Sequence, residues 1–300
     1  MRDNSSAGAP ASTPAVDLVI NTFERTVDVV LQPGYFDRVA AQHQFPFSSR
    51  TLLINNVADL PAATARAQSL VDSGEITRYL VVAEHFERAM KITGLRRGDF
   101  GRVVHTSDCS LVAICADGPE WLCYVDAEAS LREPADWITR SIEIMDASPR
   151  LLTASPQWEH KSGVGRTARL QSELTVDDAA TVYYFSDQMF LARRSDLQRK
   201  LMQRPLWLTC PAVLAHPSHS GYFLETIIEA YSRRHRRPRL VILTASTVMD
   251  ANNNYDPRGL RERLARKRNN AIYTLLVRKN FANLRLRPSL PPGVNPHEVR

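Results

Sequence analysis

Short apolar runs alternate along the chain with longer segments in which apolar and polar residues are mixed. Each run ends at polar residues, which is the pattern of a strand buried on both faces of a parallel sheet. Six runs have this form: residues 16–22, 50–55, 78–83, 121–125, 151–155 and 239–244. Helical patterns cover residues 60–73, 107–116, 134–145 and 222–233. The alternation predicts an α/β fold with a mostly parallel central sheet flanked by helices.

The two ends of the chain differ from its middle. Residues 1–14 are small, polar and Pro-containing, and they predict a flexible leader. Residues 15–250 carry the sheet pattern, with a polar, irregular stretch at 156–180 that is a candidate active-site loop. Residues 251–300 turn to Asn, Arg and Pro, which predicts a basic helical extension with a loose Pro-rich end. No segment reaches the roughly 18 to 20 apolar residues that a membrane span requires.

Charge and cysteine content indicate the kinds of partner and the cellular compartment that suit the chain. The 300 residues are 44% hydrophobic and carry a net charge of +6, with 33 Arg against 5 Lys. Arginine is dense at 233–239 and at 258–287, and such patches attract phosphates on nucleic acid, on a membrane surface or on an anionic acceptor. The four cysteines have no CxxC spacing, which favours buried free thiols and a reducing, cytoplasmic location.

Two carboxylates separated by one residue, Asp126 and Glu128, directly follow the apolar run 121–125. Open α/β sheets bind ligands beyond the carboxyl ends of their strands, so these acids should project into a cleft. Hard oxygen ligands suit Mg²⁺ or Mn²⁺. A divalent ion there can bridge both phosphates of a nucleotide diphosphate and neutralise charge as that group leaves. A chance acidic turn has the same sequence, so the order of the surrounding elements must decide.

That order resembles the GT-A glycosyltransferases, especially the inverting group with an Asp-x-Asp motif. VINTFERTVDVVL is similar to the family's opening strand and turn, and RTLLINNVAD is similar to its second strand. Asp126 and Glu128 stand where the family's metal motif would lie, as an Asp-x-Glu variant. The resemblance covers residues 16–250. It implies a hexosyltransferase-like enzyme that moves a sugar from a nucleotide-diphosphate donor to a hydroxyl acceptor with Mn²⁺ or Mg²⁺.

The resemblance also assigns donor-binding roles to residues outside the metal motif. Positions following the first two strands would contact the nucleotide, and arginines of the Gly-rich segment GLRRGDFGR would reach the diphosphate. The residues concerned are Thr22, Glu24, Arg25, Asn55, Asn56, Arg97 and Arg102. The asparagine pair has a second interpretation, a turn after a strand.

Two acids compete for the role of the base that deprotonates the acceptor hydroxyl. HPSHSGYFLETIIEAY resembles the family's late helix, with Glu225 at the place of its catalytic acid, although this chain has Leu224-Glu225 where the family has Glu-Asp. Asp187 lies in a polar break of an apolar segment, which is costly unless its groups are paired or used. Its roles are the base, an anchor for the acceptor, or a structural turn. His216 and His219 are further candidates for a metal or a phosphate, or for a structural role.

Two other functions are alternatives. A nucleotidyltransferase would show a Gly-rich signature soon after its first strand, and NTFERT contains no glycine. A noncatalytic protein that binds nucleic acid or another polyanion would use the basic C-terminal third, although the chain lacks a zinc-finger, RRM-like or helix-turn-helix motif. Sugar transfer is the interpretation that the sequence favours.

Overall fold

A computed structural model describes residues 13–158, 174–176, 178–203, 222–249 and residue 264. Ten strands form one sheet in the order β3-β2-β1-β4-β9-β6-β10-β8-β7, and β5 pairs with β10 off this path. Their bounds are β1 (Val16–Thr22), β2 (Ser49–Ile54), β3 (Arg78–Val81), β4 (Trp121–Val125), β5 (Ala129–Leu131), β6 (Thr153–Trp158), β7 (Leu174–Val176), β8 (Ala179–Val182), β9 (Met189–Arg193) and β10 (Arg239–Met249).

Strand direction confirms the predicted sheet type. The β1–β2, β2–β3, β1–β4 and β6–β10 pairs are parallel. Among the described strands, β5, β8 and β9 run against the other seven. Because β9 lies antiparallel between β4 and β6, its amino end shares an edge with the carboxyl ends of β1, β2 and β4. We call this edge the carboxyl edge. It carries the loops that follow β1, β2 and β4 together with the loop that precedes β9.

Helices cover both faces of the sheet. Their bounds are α1 (Val27–Val30), α2 (Tyr35–His43), α3 (Leu60–Asp72), α4 (Val82–Thr93), α5 (Arg97–Phe100), α6 (Asp108–Cys115), α7 (Trp137–Ala147), α8 (Arg194–Leu197) and α9 (Leu224–His235), with a 3₁₀ turn at Gly101–Thr106. Asp59 caps α3, because its side chain accepts a hydrogen bond from the Ala62 N–H. Pro61 lies in the first turn of the helix, where its missing N–H costs nothing. Asp136 caps α7 in the same way.

The core divides into two layers because side chains alternate across each strand. Leu18 and Ile20 of β1 pack with buried residues of α2, α3 and α7, and Val19 packs with those of α4, α6 and α9. We call the two sides the α7 face and the α6 face. A polar residue at an odd position of β1 therefore lies on the α6 face.

Several element boundaries differ from the sequence prediction. The run 78–83 gives only the short strand β3, because the amphipathic helix α4 already begins at Val82. The last core strand continues to Met249, where it pairs with β5. The polar stretch 156–180 contains the end of β6, the strand β7 and the first residues of β8. Apolar periodicity alone separates strand from helix poorly in such short runs.

The basic segment 233–239 divides into buried and exposed side chains. Arg233 is buried and pairs with Glu229 at 2.7 Å, and the half-buried Arg237 pairs with Asp196 at 2.7 Å. Arg239 is also buried. The basic residues 234–236 are exposed, so only part of the predicted patch faces solvent.

Cys109, Cys115 and Cys123 are buried and free, as predicted. Cys210, His216 and His219 lie outside the described residues, as do most of the predicted leader and all but residue 264 of the predicted extension. In the part of the chain that is described, no helix has the length and apolarity needed to cross a bilayer.

Candidate functional site

Three polar side chains reach the carboxyl edge on the same face of the sheet. Asn21 lies two residues beyond Val19, Asn55 two beyond Leu53, and Asp126 two beyond Tyr124. Val19, Leu53 and Tyr124 all pack on the α6 face. The side-chain period of two therefore places the three polar groups in a row across β1, β2 and β4.

The turn after β4, which carries the first predicted acid, is held by Asn21. The Asn21 amide nitrogen donates to Asp126 Oδ2 at 3.0 Å, and its carbonyl oxygen accepts the Ala127 N–H at 2.7 Å. Asp126 Oδ1 accepts the Glu128 N–H at 2.9 Å, and the Asp126 N–H donates to the Gln188 carbonyl at 2.7 Å. The turn thus has a fixed geometry and touches the loop that precedes β9.

The second predicted acid is held by an arginine of the β1–α1 loop. Arg25 Nη2 lies 2.8 Å from Glu128 Oε1, and the side chains are 62% and 17% exposed. Next to it, Glu24 accepts the Ala58 N–H at 2.7 Å, so its carboxylate joins the loops after β1 and β2. Arg25 therefore borders the predicted metal-motif position, whereas Glu24 fixes the loop after β1 to the loop after β2.

A second acidic pair lies beside this turn. Glu225, in the first turn of α9, accepts the Asp187 N–H at 3.3 Å and the Tyr184 hydroxyl at 3.3 Å, both on Oε1. Gln188 Nε2 donates to Asp187 Oδ1 at 3.2 Å. The structure therefore brings together the two acids that the sequence offered as rivals. We call Asp126, Glu128, Asp187 and Glu225 the acid cluster.

Two helix N-termini meet at the acid cluster. The Leu224 N–H at the start of α9 donates to the Ser107 hydroxyl, the residue before α6, at 3.0 Å. Helix N-termini carry partial positive charge and favour anions in their first turn. The carboxyl edge thus combines several acids with two helix ends that attract negative charge.

Burial raises the pKa values of Asp126, Asp187 and Glu225. Desolvation raises the pKa of Asp126, against the lowering effect of its bonds from Glu128 and Asn21. Desolvation and the neighbouring Glu225 carboxylate raise the pKa of Asp187 well above its usual range, and desolvation also raises the pKa of Glu225. Two carboxyls this close do not readily ionise together, because the charge on one disfavours the charge on the other. Such perturbed acids in a cleft are typical of functional sites.

A further pair lies on the β2 side of the row. Asn55 Nδ2 donates to Asp108 Oδ1 at 2.8 Å, and the Cys109 N–H donates to the same oxygen at 2.8 Å. Burial raises the pKa of Asp108 to about 6. Burial also raises the pKa of the Cys109 thiol, which keeps that group neutral.

The remaining predicted donor residues take different places. Thr22 is fully buried and its hydroxyl bonds that of Thr26 at 3.2 Å, so its side chain holds the turn after β1. Asn56 has a φ of 46°, the left-handed turn conformation of the alternative interpretation. Arg97 pairs with Glu87 at 3.4 Å and covers the Phe86 ring, so it contacts α4 rather than the acid cluster. The side chain of Arg102 lies outside the described residues.

Sequence reasoning missed Asn21, Asp108 and Tyr184. Asn21 stands inside the run VDLVINT and was counted only as its polar end. Asp108 lies at the start of the predicted helix 107–116, and its contact with Asn55 spans 53 residues of sequence, which local pattern cannot reveal. The sequence feature that could have identified Asn21 is a polar residue near the end of a buried strand, because a buried polar group needs a hydrogen-bond partner.

The donor set at the turn after β4 fits a small divalent cation. Asp126 and Glu128 offer carboxylate oxygens, and Mg²⁺ commonly binds one or two protein carboxylates and completes its shell with water and substrate phosphates. Within the described ranges, no group of three or more His, Cys, Asp or Glu side chains is arranged to hold a metal. Phosphate oxygens would therefore have to supply part of the coordination.

No family model and no curated protein matches this sequence. Several solved structures are similar to it. GalNAc-T7 with UDP, GalNAc and Mn²⁺ has a TM-score of 0.45 and 10% identity over 80% of this chain and 44% of its own. Glucosyl-3-phosphoglycerate synthase from Mycobacterium tuberculosis with Mg²⁺ and UDP has a TM-score of 0.42 and 14% identity over 88% and 79%. Mouse xyloside xylosyltransferase 1 has a TM-score of 0.41 and 12% identity over 75% and 85%.

Solved glycosyltransferases are thus among the structures similar to this chain. Their TM-scores lie below 0.5 and their identities below 15%, so the function is inferred from the geometry of the carboxyl edge itself.

Proposed function

We propose that the protein transfers a sugar from a nucleotide-diphosphate donor to a hydroxyl acceptor, with a divalent cation at Asp126 and Glu128. The observation that carries this proposal is the convergence of two acidic pairs at one sheet edge. One pair follows β4 and the other joins the β9 loop to α9. Their separation in sequence lets one serve the donor and the other the acceptor.

The cation follows from electrostatics. A diphosphate brought next to the acid cluster would meet strong repulsion in a partly buried setting, where charges are poorly screened. Mn²⁺ or Mg²⁺ held by Asp126 and Glu128 would offset that repulsion and stabilise the charge that develops on the departing diphosphate. The N-termini of α6 and α9 favour the same anionic group.

Arg25 has a place in this arrangement. Its guanidinium now occupies the side of Glu128 that a cation would need, at 2.8 Å from Oε1. If a divalent cation were held by Glu128, Arg25 would be free to bind phosphate oxygens, whose geometry guanidinium matches. The Arg25 side chain is 62% exposed, so it has room to turn away from Glu128.

The Asp187–Glu225 pair supplies the base. Desolvation raises the pKa of both acids, but at Glu225 two hydrogen bonds and the Arg239 charge oppose this effect, whereas at Asp187 the neighbouring Glu225 carboxylate adds to it. We therefore assign the ionised form to Glu225 and the proton to Asp187. Glu225 then accepts the proton of the acceptor hydroxyl as that oxygen attacks the anomeric carbon. A single displacement assisted by such a base inverts the anomeric configuration.

Noncatalytic polyanion binding is less compatible with the carboxyl edge, because the acid cluster would repel a polyanion. The acceptor remains defined only by its hydroxyl. The basic residues of 258–287 suit an acceptor that carries negative charge, whether in solution, on nucleic acid or at a membrane surface.

A nucleotide panel tests the proposal. UDP, GDP, TDP and ADP are titrated into the full-length protein by calorimetry, with Mn²⁺ and again with excess chelator. We expect at least one nucleotide diphosphate to bind with Mn²⁺ and to lose about tenfold or more in affinity with chelator. Absence of binding across the panel in Mn²⁺ would contradict sugar transfer from a nucleotide donor.

A further inference from the structure

An exposed basic surface lies at the edge of the sheet opposite the carboxyl edge. The strand β9 ends at Arg193 and β10 begins at Arg239, and both of these ends lie at this opposite edge. Residues 199–200 follow β9 through the short helix α8, and residues 234–237 join the end of α9 to β10. We call these two segments the basic end. Along β9, about 13 Å of strand separates the basic end from the carboxyl edge.

Asp196 brings the two segments of the basic end together. Its Oδ1 atom lies 2.7 Å from Arg237 Nη1 and 3.6 Å from Arg199 Nη2. His235 is affected by both segments, because desolvation lowers its pKa and the charges of Arg234, Arg237 and Arg199 lower it further. The arginines of both segments are therefore close enough to act on one side chain, and they form one continuous surface.

The positive charge of the basic end exceeds the negative charge beside it. Asp196 pairs with two of its arginines, and Glu120 accepts the Ser195 hydroxyl next to it. Among the residues that the structure describes, the exposed side chains of Lys200, Arg234 and Arg236 take part in no salt bridge or hydrogen bond. The basic side chains are Arg199, Lys200, Arg234, Arg236 and Arg237, so five positive charges stand against these two acids, an excess of three.

This excess distinguishes the basic end from exposed arginines elsewhere on the domain. Arg66 pairs with Asp28 at 2.8 Å, and Arg88 pairs with Asp117 at 2.8 Å. Such pairs neutralise charge locally, although each contributes little to stability. At the basic end, like charges stand together and repel one another, and a bound anionic partner would relieve that repulsion. The excess therefore indicates a binding surface for phosphate groups, whose geometry guanidinium matches.

The surroundings of the basic end favour anionic lipid over nucleic acid. Bases of single strands stack on accessible aromatic rings, and the Tyr231 ring beside His235 is buried. Duplex DNA is read by an element that enters a groove, but residues 227–233 of α9 are buried, so α9 offers this surface only its final residues. Lipid headgroups need charge alone, and each Lys or Arg near an anionic membrane strengthens binding about fivefold.

The molecule is also electrically polar along its strands. The acid cluster lies at one edge of the sheet, and the basic end lies at the other. An anionic surface attracts the basic end and repels the acid cluster, so it would hold the protein in one orientation. In that orientation the carboxyl edge faces the solution.

We propose that the basic end docks the protein on a membrane surface that carries anionic phospholipids. This inference goes beyond sugar transfer and does not depend on it. It assigns a role to the part of the segment 233–239 that faces solvent.

Vesicle flotation tests the proposal with the full-length protein and no nucleotide. Phosphatidylcholine vesicles with and without phosphatidylserine are compared, at about 50 mM and about 500 mM NaCl. Arg234→Gln/Arg236→Gln removes two charges from the basic end. The matched control, Arg66→Gln/Arg140→Gln, removes two charges from α3 and α7, where both side chains are 41% exposed. Thermal unfolding checks that both variants are folded.

The wild type should bind the vesicles that contain phosphatidylserine and not those without it, and this binding should weaken at high salt. Arg234→Gln/Arg236→Gln should lose about tenfold or more in vesicle affinity. The control should change by less than about twofold, because its charges lie on other surfaces. If the wild type does not bind phosphatidylserine at low salt, or if the basic-end variant binds no worse than the control, the proposal is overturned.

A DNA duplex, titrated by fluorescence anisotropy, is the competing partner. If Arg234→Gln/Arg236→Gln loses affinity for the duplex and keeps its affinity for vesicles, the basic end binds nucleic acid and the lipid proposal is wrong. The same variant should keep the wild-type affinity for nucleotide in Mn²⁺, because the basic end and the acid cluster lie at opposite edges. Failure of lipid docking and failure of sugar transfer are therefore observed in separate measurements.

Discussion

Each end of β1 carries a buried polar residue, Asp17 or Asn21, and the two residues have different kinds of partner. Asp17 and Asn21 lie on the same face of the strand, four residues and about 13 Å apart. At the amino end, Asp17 pairs with Arg194 at 2.6 Å and accepts from the Ser49 and Thr51 hydroxyls. At the carboxyl end, Asn21 holds an acid whose pKa is raised by burial.

This comparison distinguishes a charged pair that stabilises the fold from acids to which we assign a function. Asp17 and Arg194 are both almost fully buried, and each satisfies the other. In the acid cluster, Glu128 pairs with the exposed Arg25 and the charge of Arg239 lies near Glu225, yet desolvation still raises the pKa values of Asp126, Asp187 and Glu225. Buried carboxylates that are only partly compensated cost folding free energy, so their retention at one edge indicates a charged ligand or a proton to be moved.

The largest expected effect is on the turn after β4. Asp126→Ala removes one of the two proposed cation ligands, so Mn²⁺-dependent nucleotide binding should weaken about 100-fold or more, roughly 2.8 kcal/mol. Turnover should be abolished while the fold is retained. Calorimetry and circular dichroism measure the two properties, with Asp146→Ala on the surface of α7 as the control. Normal turnover by Asp126→Ala would remove this residue from the site.

The next effect concerns the proposed base. Glu225→Gln keeps the shape of the side chain but cannot take a proton, so kcat should fall about 10²- to 10⁴-fold. The affinity for the nucleotide should change little, which separates this variant from Asp126→Ala. Glu143→Gln, exposed on α7, is the matched control. An unchanged kcat would transfer the role to Asp187 or to another group.

At the opposite end of β1, Asp17→Asn should act on stability alone. It leaves the buried Arg194 without its counter-ion, and breaking a buried pair costs about 3–5 kcal/mol. Chemical denaturation measures the loss, while nucleotide affinity below the unfolding transition should be unchanged. Asp37→Asn, which breaks an exposed pair with Arg50, should cost less than about 1 kcal/mol.

The same comparison predicts a stabilising change inside the acid cluster. Because burial raises the pKa of Asp187, the folded state binds more protons than the unfolded state, and stability falls as pH rises above the usual carboxyl range. Asp187→Asn removes this penalty and should stabilise the fold by about 1–3 kcal/mol at pH 8. Thermal unfolding should show a smaller gain at pH 5. A destabilised variant at pH 8 would mean that Asp187 is held by contacts that compensate its charge.

The smallest effect concerns Arg25. Its ion pair with Glu128 is exposed and is worth less than about 1 kcal/mol. Arg25→Ala should therefore improve the affinity for Mn²⁺ alone by a few-fold, because the metal no longer competes with the guanidinium. Titration followed by electron paramagnetic resonance measures this affinity. Weaker Mn²⁺ binding would show that Arg25 positions Glu128 instead of competing with the metal.

The sequence predicted the sheet better than the site. The runs at 16–22 and 121–125 became β1 and β4 with the predicted bounds, because a continuous apolar run followed by polar residues has few other solutions. Asp126 was found because it directly follows such a run. The pairing of Asp187 with Glu225 spans 38 residues, and local pattern carries no information on which distant loops meet.

The bond between Ser107 and Leu224 joins positions 117 residues apart, and it ties the start of α6 to the start of α9, the helix that carries Glu225. The strands β1, β2 and β4 and the helix α6 all lie before residue 158, whereas α9 follows nine of the ten described strands along the chain. A chimera that exchanges the later segment could therefore keep its donor and change its acceptor, provided that position 107 still presents an oxygen to the first turn of the incoming helix.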